Sequence, residues 1–218
     1  GGDPTSIIIG ATGADRWQAE VRGISSHAGV HPEDGVSAVL ITSKAISEIA
    51  AKGFFGDVRK GKKTGTSNVG PMQGGEATNQ VTDLMVLRGE CRSHDAAFLD
   101  RITEAYRRSF EAAAASVKNA AGESGSVRFI IARDYHSFEM KSDSPVVRRT
   151  QEAVKKLGLE PRLVIANGGL DANWLNRKGI PTVTLGAGQH NAHTLREYAD
   201  IREYLLGCEL GIALATAI

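Results

Sequence analysis

Polar and apolar positions along this chain follow two different periods. In DRWQAEVRG (15–23) Trp17, Ala19 and Val21 alternate with polar neighbours, the two-residue period of a strand covered on one side, and SIIIG (6–10) is an apolar run of strand length. From Val36 to Ala51 the period lengthens. Val36, Val39, Leu40, Ile46, Ile49 and Ala50 recur at steps of three and four over one face, and Gly53 supplies a C-terminal stop, which predicts a helix. Strands are predicted over TSNVGPM (66–72) and VTDLMVLRGECRS (81–93), then a long helix from Asp95 to about Ala120 and a strand SVRFIIA (126–132). The order β-α-β-β-α-β is that of a ferredoxin-like unit, with two helices on one face of an antiparallel sheet. The one charge run, DVRKGKKTG (57–65), reads as a solvated hairpin tip.

After this the pattern alternates: helix 145–157, strand RLVIA (162–166), helix 171–178, strand PTVTL (181–185) and an apolar helix from about Ile201. Strands alternating with helices predict parallel strands in an α/β layer, and SIIIG can return to that same sheet. The expected organisation is therefore a domain within a domain. Residues 14–133 form the ferredoxin-like insertion, and residues 1–13 plus 134–218 form the α/β domain.

Composition narrows the function classes. A chain of 218 residues with 41% hydrophobic content can bury a sizeable core. Its 26 Lys and Arg against 25 Asp and Glu give no field to attract nucleic acid or an anionic membrane, which leaves small molecules as the expected partners. Cys91 and Cys208 sit in a strand pattern and an apolar helix and read as two buried thiols, which fits a reducing, cytoplasmic setting. No run of about 18 apolar residues is present to span a membrane.

The candidate chemistry lies in loops. GAGQHNAHTLREYADI places His190 and His193 just after an apolar strand, and imidazole is the commonest side-chain ligand for zinc. One such pair does not complete a catalytic zinc site, which wants three protein ligands and an open position, and no HExxH or CxxC pattern supplies the rest. RGISSHAGVHPEDGVSAV places His27 in a loop before Pro32, and GGEATNQVTDLMVLRGECRSHD adds Asn79 and Arg92 around a strand. Arg92 shares a strand face with Glu90, so a plain surface ion pair is an alternative to a ligand role. Gly168-Gly169-Leu170-Asp171 forms a strand-to-helix turn whose backbone N–H groups favour an anion, and Asp171 can cap the helix.

Taken together, GxxxHAGxxP, GGxxxN, RGExRSHD, GGLDAN and GxGxxxxHTxxEY, in that order, resemble the M20 metallopeptidases, the di-zinc exopeptidases of the peptidase T and carboxypeptidase G2 type. The resemblance covers nearly the whole chain. It implies an α/β zinc-exopeptidase catalytic domain carrying an inserted ferredoxin-like lid that also dimerises, with two Zn2+ per subunit and a small peptide or N-acyl amino acid as substrate. His193 is implied as a metal ligand, because in the family the ligand His precedes a Glu-aromatic pair, here Glu197-Tyr198, and Glu197 then lies outside the ligand set. His190 is read as structural, hydrogen-bonding within its loop. His27 is implied to donate a hydrogen bond to the developing oxyanion, in several members within the other subunit's active site. Asn79, Arg92, Gly169 and Asp171 are implied substrate contacts.

The family's remaining metal ligands and its general base lie upstream of the segment present here, and none of them appears. The chain opens Gly1-Gly2-Asp3 without an initiator Met, and a fragment inactive by itself is therefore expected. The competing reading is a non-catalytic dimerisation or binding module built on the ferredoxin-like sheet. RNA binding ranks below both, because the central strands offer only Phe129 as an aromatic platform.

Overall fold

The computed structural model describes residues 2–216. Along the chain run β1 (Ser6–Ala11), β2 (Gly13–Arg22), α1 (Ala38–Ala51), β3 (Gly56–Lys60), β4 (Lys63–Gly74), β5 (Leu84–Ser93), α2 (Ala96–Ser116) and β6 (Ser126–Tyr135). There follow β7 (Phe138–Glu139), α3 (Pro145–Lys156), β8 (Arg162–Ala166), α4 (Asp171–Arg177), β9 (Thr184–Leu185), β10 (Gln189–His190), β11 (Tyr198–Ala199) and α5 (Ile201–Thr216). Two compact units result, one from residues up to Thr12 and from His136 onward, the other Gly13–Tyr135.

The Gly13–Tyr135 unit is a five-stranded antiparallel sheet in the order β3-β4-β5-β2-β6, with α1 and α2 packed on it. Leaving β3 aside, this is the ferredoxin-like topology. β3 is a strand that the sequence pattern hides inside the charge run: Val58 alone is apolar there, and it is fully buried opposite Gly65. The hairpin tip falls at Lys60–Lys63, where Gly61 adopts φ 63°.

Trp17, on the central strand β2, anchors the core. Its indole lies 5.0 Å from the Tyr106 ring, 5.3 Å from Phe129 and 6.1 Å from Phe110. Gly89 is its cross-strand partner on β5, and a Cβ at that position would stand 2.1 Å from the indole, so only glycine leaves room for the ring. Tyr106 reaches the Ser67 hydroxyl at 2.9 Å, which in turn donates to the Phe54 carbonyl at 2.6 Å. Asp15, 2% exposed, accepts from Arg133 on β6 and, at 2.8 Å, from the Thr103 hydroxyl on α2. One buried carboxylate thereby ties β2, β6 and α2 together.

The helices depart from the sequence reading in phase and length. α1 starts after Ser37, whose hydroxyl accepts from Leu40 N–H at 3.2 Å, and it buries Ala38, Ile41, Thr42, Ala45 and Ile49. Val39 and Leu40, expected on the inner face, are 45% and 50% exposed. The buried face combines Ile41 and Ile49 with the small residues Ala38, Thr42 and Ala45, and α1 packs against α2 as well as the sheet. α2 is capped by Asp95, which accepts from Phe98 N–H at 2.7 Å, and it ends at Ser116 instead of near Ala120 because Val117 is already extended.

In the α/β unit β1 is central. β8 runs parallel to it on one edge (Ile7↔Leu163, Ala11↔Ala166), while β9 (Ile7↔Leu185) and β7 (Gly10↔Glu139) share the other edge, both antiparallel. The expected all-parallel layer is thus a mixed sheet. α4 returns the chain by only about 10 Å against the roughly 17 Å that β8 advances, and β9 enters from the opposite end. Ile7 and Ile9 pack on Val147 and Val154 of α3 and Leu210 of α5. α5 is otherwise largely exposed, and with it Cys208, which corrects the expectation of two buried thiols; Cys91 is buried as expected.

Two measurements follow from these contacts. Asp15→Ala should leave half-buried Arg133 with only the exposed Asp100 carboxylate, remove a buried acceptor of the Thr103 hydroxyl and lower stability by about 1–3 kcal/mol, read as a fall in the urea midpoint, whereas Asp57→Ala, which removes an exposed pair with Arg59, should leave the midpoint in place. An unchanged midpoint for Asp15→Ala would show that the buried pair does not hold the three elements together. Burial pushes the Cys91 thiol up to about 12. Iodoacetamide at pH 8 should therefore add one carbamidomethyl group, on Cys208, to the folded chain and two in urea, and rapid double labelling without denaturant would contradict this.

Candidate functional site

His27 and Asn79 are brought side by side. The segment after β2 and the loop before β5 are joined by hydrogen bonds from Val81 N–H to Ser26 O (2.9 Å) and from Ala28 N–H to Asn79 O (2.8 Å), with a bridge between His27 and Gln80. Gln80 adds a side-chain bond to the Ser25 hydroxyl at 2.8 Å. The His27 ring is exposed, and its Nδ1 accepts the Gly29 N–H at 3.1 Å. That contact assigns the ring proton to Nε2, so the neutral imidazole presents Nε2–H as a donor. Beside it the Gly74-Gly75 turn borders a groove of about 570 Å³ lined also by Gln73, Glu76 and Gln80.

Arg92 lies at the other end of the sheet. It is cross-strand from Ala14 and Thr66, eight residues along β5 from Leu84, which pairs with Arg22 where β2 ends; at about 3.4 Å per residue this is roughly 27 Å. Its guanidinium is bidentate on Glu90, Nε to Oε1 at 3.0 Å and Nη2 to Oε2 at 3.1 Å, and Glu90 also takes Arg16, which reaches Asp134 at 3.2 Å. The surface ion pair is therefore present, as one link of a four-residue network that holds the Arg92 fork in a fixed direction.

Gly169 and Asp171 lie together in the turn into α4, both exposed. Asp171 does not cap this helix. It is the first helical residue, where its charge complements the helix N-terminus, and Leu170 occupies the cap position. The capping contact comes from Asn173, whose Oδ1 accepts Leu170 N–H at 2.8 Å. Sequence reasoning missed Asn173, although its place three residues after the cap position, where side chains reach back to the cap N–H, was a usable signal.

His193 sits in the tight loop between β10 and β11. It and Asn191 adopt φ values of 65° and 52°, left-handed conformations that non-glycine residues adopt at a cost and that concentrate at functional loops. Glu197 clamps this loop, accepting His193 N–H at 2.8 Å and the Gln189 amide at 2.5 Å. The His193 ring is exposed and makes no hydrogen bond among the described residues. His190 is engaged, with Nε2 2.6 Å from Glu203 and its ring stacked on Tyr198 at 5.0 Å. Among the described residues no group of three or more His, Cys, Asp or Glu side chains could hold a metal ion. His193 alone does not fit a zinc centre, and it belongs to the α/β unit, whereas His27, Asn79 and Arg92 belong to the inserted one.

Comparison with known proteins bears on the fold and the family. Residues 9–118 match the family model of the M20 peptidase dimerisation domain. The Bacillus subtilis (strain 168) protein YqjE is 32% identical over 209 residues, 96% of this chain and 53% of that protein. Among solved structures, the aminopeptidase PepT of Bacillus cereus superposes with a TM-score of 0.81 at 31% identity, covering 98% of this chain and 54% of that one, and a tripeptidase of Staphylococcus aureus with a TM-score of 0.84 at 30% identity, covering 98% and 53%. The chain spans about half the length of the relatives it matches. The dimerisation-domain match over half of the sequence, joined to the ferredoxin-like topology of the Gly13–Tyr135 unit, places this chain in the M20 peptidase family.

Proposed function

We propose that the longer protein to which this chain corresponds is a di-zinc hydrolase that cleaves a peptide or amide bond in a small peptide or an N-acyl amino acid. The observation that carries this reading is the division of the inserted sheet. A hydrogen-bond donor, His27 Nε2–H, stands with Asn79 at one end, and a carboxylate-gripping fork, Arg92, stands at the other. A tripeptide extends only about 10 Å, so one small substrate cannot touch both within a chain. Two copies related by a twofold axis can bring the His27 end of one to the Arg92 end of the other, and the family model is a dimerisation domain. β4 offers an edge for such pairing, because among the described residues β3 covers it only as far as Ser67.

In this reading Arg92 binds the substrate carboxylate and Asn79 completes the polar contact. His27 donates to the oxygen that becomes negative in the tetrahedral transition state, and the Gly169–Asp171 turn borders the substrate. His193 supplies one metal ligand, the other ligands and the general base coming from the rest of the longer chain. The exposed apolar side chains of the α/β unit, Trp174, Ile180, Ile201, Leu205 and Ile212, suit burial against that remaining part. The 218-residue chain alone is accordingly expected to be inactive.

The test uses the longer protein. His193→Ala should lose bound zinc, whereas His27→Ala should keep it with a similar KM while kcat falls about 100- to 1000-fold, the loss typical of one oxyanion donor. Mixing the two variants should restore part of the activity, since one hybrid site joins an intact metal centre to an intact His27. Full zinc occupancy in His193→Ala, or an unchanged kcat in His27→Ala, would overturn the respective role, and a strictly monomeric active enzyme would overturn the shared site.

A further inference from the structure

Helices cover one face of the five-stranded sheet, and strand alternation sets which side chains point to the other face. Trp17, Leu87 and Phe129 turn toward the core, so Arg16 and Gln18 on β2, Arg88 and Glu90 on β5 and Ile130 on β6 turn away from it. The β4–β5 ladder breaks between Val69 and Met72. Gly70 and Pro71 at this bulge border a groove of about 660 Å³ on the helix-free face, within the usual size of a small-molecule site.

The flanks of the groove are apolar, with Pro71 on β4 and Ala132 and 43% exposed Ile130 on β6, and the central strands make its floor polar. Glu90 stands opposite both Asn68 and Arg16, and Gln18 stands between Arg88 and Ile130. The charges there are unequally satisfied. Glu90 takes both Arg16 and Arg92, and Arg16 also reaches Asp134 at 3.2 Å. The exposed Arg88 guanidinium has no hydrogen bond or ion pair among the described residues, and neither have the Gln18 and Asn68 side-chain amides. The groove thus holds one uncompensated cation with five N–H donors, two amides beside it and apolar flanks. An unengaged guanidinium fork matches a planar carboxylate. Glu90 already faces two guanidinium groups and so does not turn an incoming anion away.

We propose that this groove binds a small carboxylic acid with an apolar tail, its carboxylate on the Arg88 fork, the Gln18 and Asn68 amides donating beside it, and the tail against Ile130 and Ala132. The site lies wholly within the Gly13–Tyr135 unit. It is distinct from Arg92, which stands four residues along β5, about 14 Å away. Two sources share this chemistry, an acidic side chain of a substrate and a separate acidic effector.

Isocaproate, a carboxylate on a branched apolar tail, is the probe, and isocaproamide is its uncharged counterpart. Added to the isotope-labelled 218-residue chain, isocaproate should shift the NMR signals of the Gln18, Arg88 and Ile130 backbone amides, with a Kd in the millimolar range of so small a ligand. Isocaproamide should bind at least about tenfold more weakly. Arg88→Gln, at an exposed position, should keep the urea midpoint and lose at least about tenfold in affinity, Arg88→Lys should fall between it and the parent because charge is kept and the fork lost, and Arg92→Gln should bind as the parent does. Absence of shifts, shifts confined to the surroundings of Arg92, or equal binding of acid and amide would overturn the proposal. So would the same amides shifting with chain concentration alone, because a second copy would then cover this face. The longer protein distinguishes the sources, and this arm alone rests on the hydrolase reading. A substrate carboxylate is indicated if Arg88→Gln raises KM at least about tenfold for substrates with an acidic side chain and leaves neutral ones unchanged. A separate effector is indicated if isocaproate alters the rate of the parent and not of Arg88→Gln, with KM unchanged for both substrate types. A longer protein that binds isocaproate through Arg88 but hydrolyses nothing would support the groove and count against the hydrolase reading.

Discussion

The inserted unit depends on the register that sets Ala14 opposite Tyr135. Because β2 lies between β5 and β6 and runs antiparallel to both, the excursion from Gly13 to Tyr135 begins and ends at neighbouring positions. Each unit can then close its own core, one around Trp17 and Tyr106, the other around Ile7 and Val154, with few residues shared between the two tasks. The cost of keeping the ends together is low once the β2–β6 ladder has formed, since loop closure grows only with the logarithm of the intervening length. The buried Asp15 carboxylate reinforces that register at its open end, where Arg133 and Thr103 converge.

Much of this was legible in the sequence, for reasons that can be named. The alternation around Trp17 is strong because β2 belongs to a sheet with one face covered by helices. β3 was hidden because a single buried valine among charged residues carries no period. The phase of α1 differs from the sequence reading because its buried face includes two alanines and a threonine, which hydropathy underweights, while Val39 and Leu40 are exposed. The direction of β9 and the exposure of Cys208 were out of reach of local pattern. The first depends on how far a short helix carries the chain, the second on what else packs against α5.

The candidate site shows the same boundary between pattern and space. Motif order identified His27, Asn79, Arg92 and His193 as a set, but sequence order carries no distances. Only the sheet shows that His27 and Asn79 share one end and Arg92 holds the other. The sequence offered Glu90 only as an ion-pair partner of Arg92, and the structure adds that it joins the Arg92 fork to Arg16 and Asp134. Glu90 takes two of the five guanidinium N–H groups, so an anion approaching Arg92 meets the remaining donors beside a carboxylate already in place, and occupancy should respond to the ligand's charge and geometry more than to its size.

The contact between Gly89 and the Trp17 indole reaches beyond packing. A Cβ at position 89 would stand 2.1 Å from the ring and 2.4 Å from the Asn68 carbonyl oxygen, so an alanine there needs both a smaller residue at 17 and a shift of the β4 backbone, and a smaller residue at 17 leaves a void beneath Gly89 unless something fills it. Positions 17 and 89 are far apart in sequence but cannot drift independently. Across descendants of this chain Gly89 should stay fixed while position 17 keeps a side chain large enough to cover it, and an invariant glycine opposite a large ring would mark the β2–β5 register in sequence variation alone.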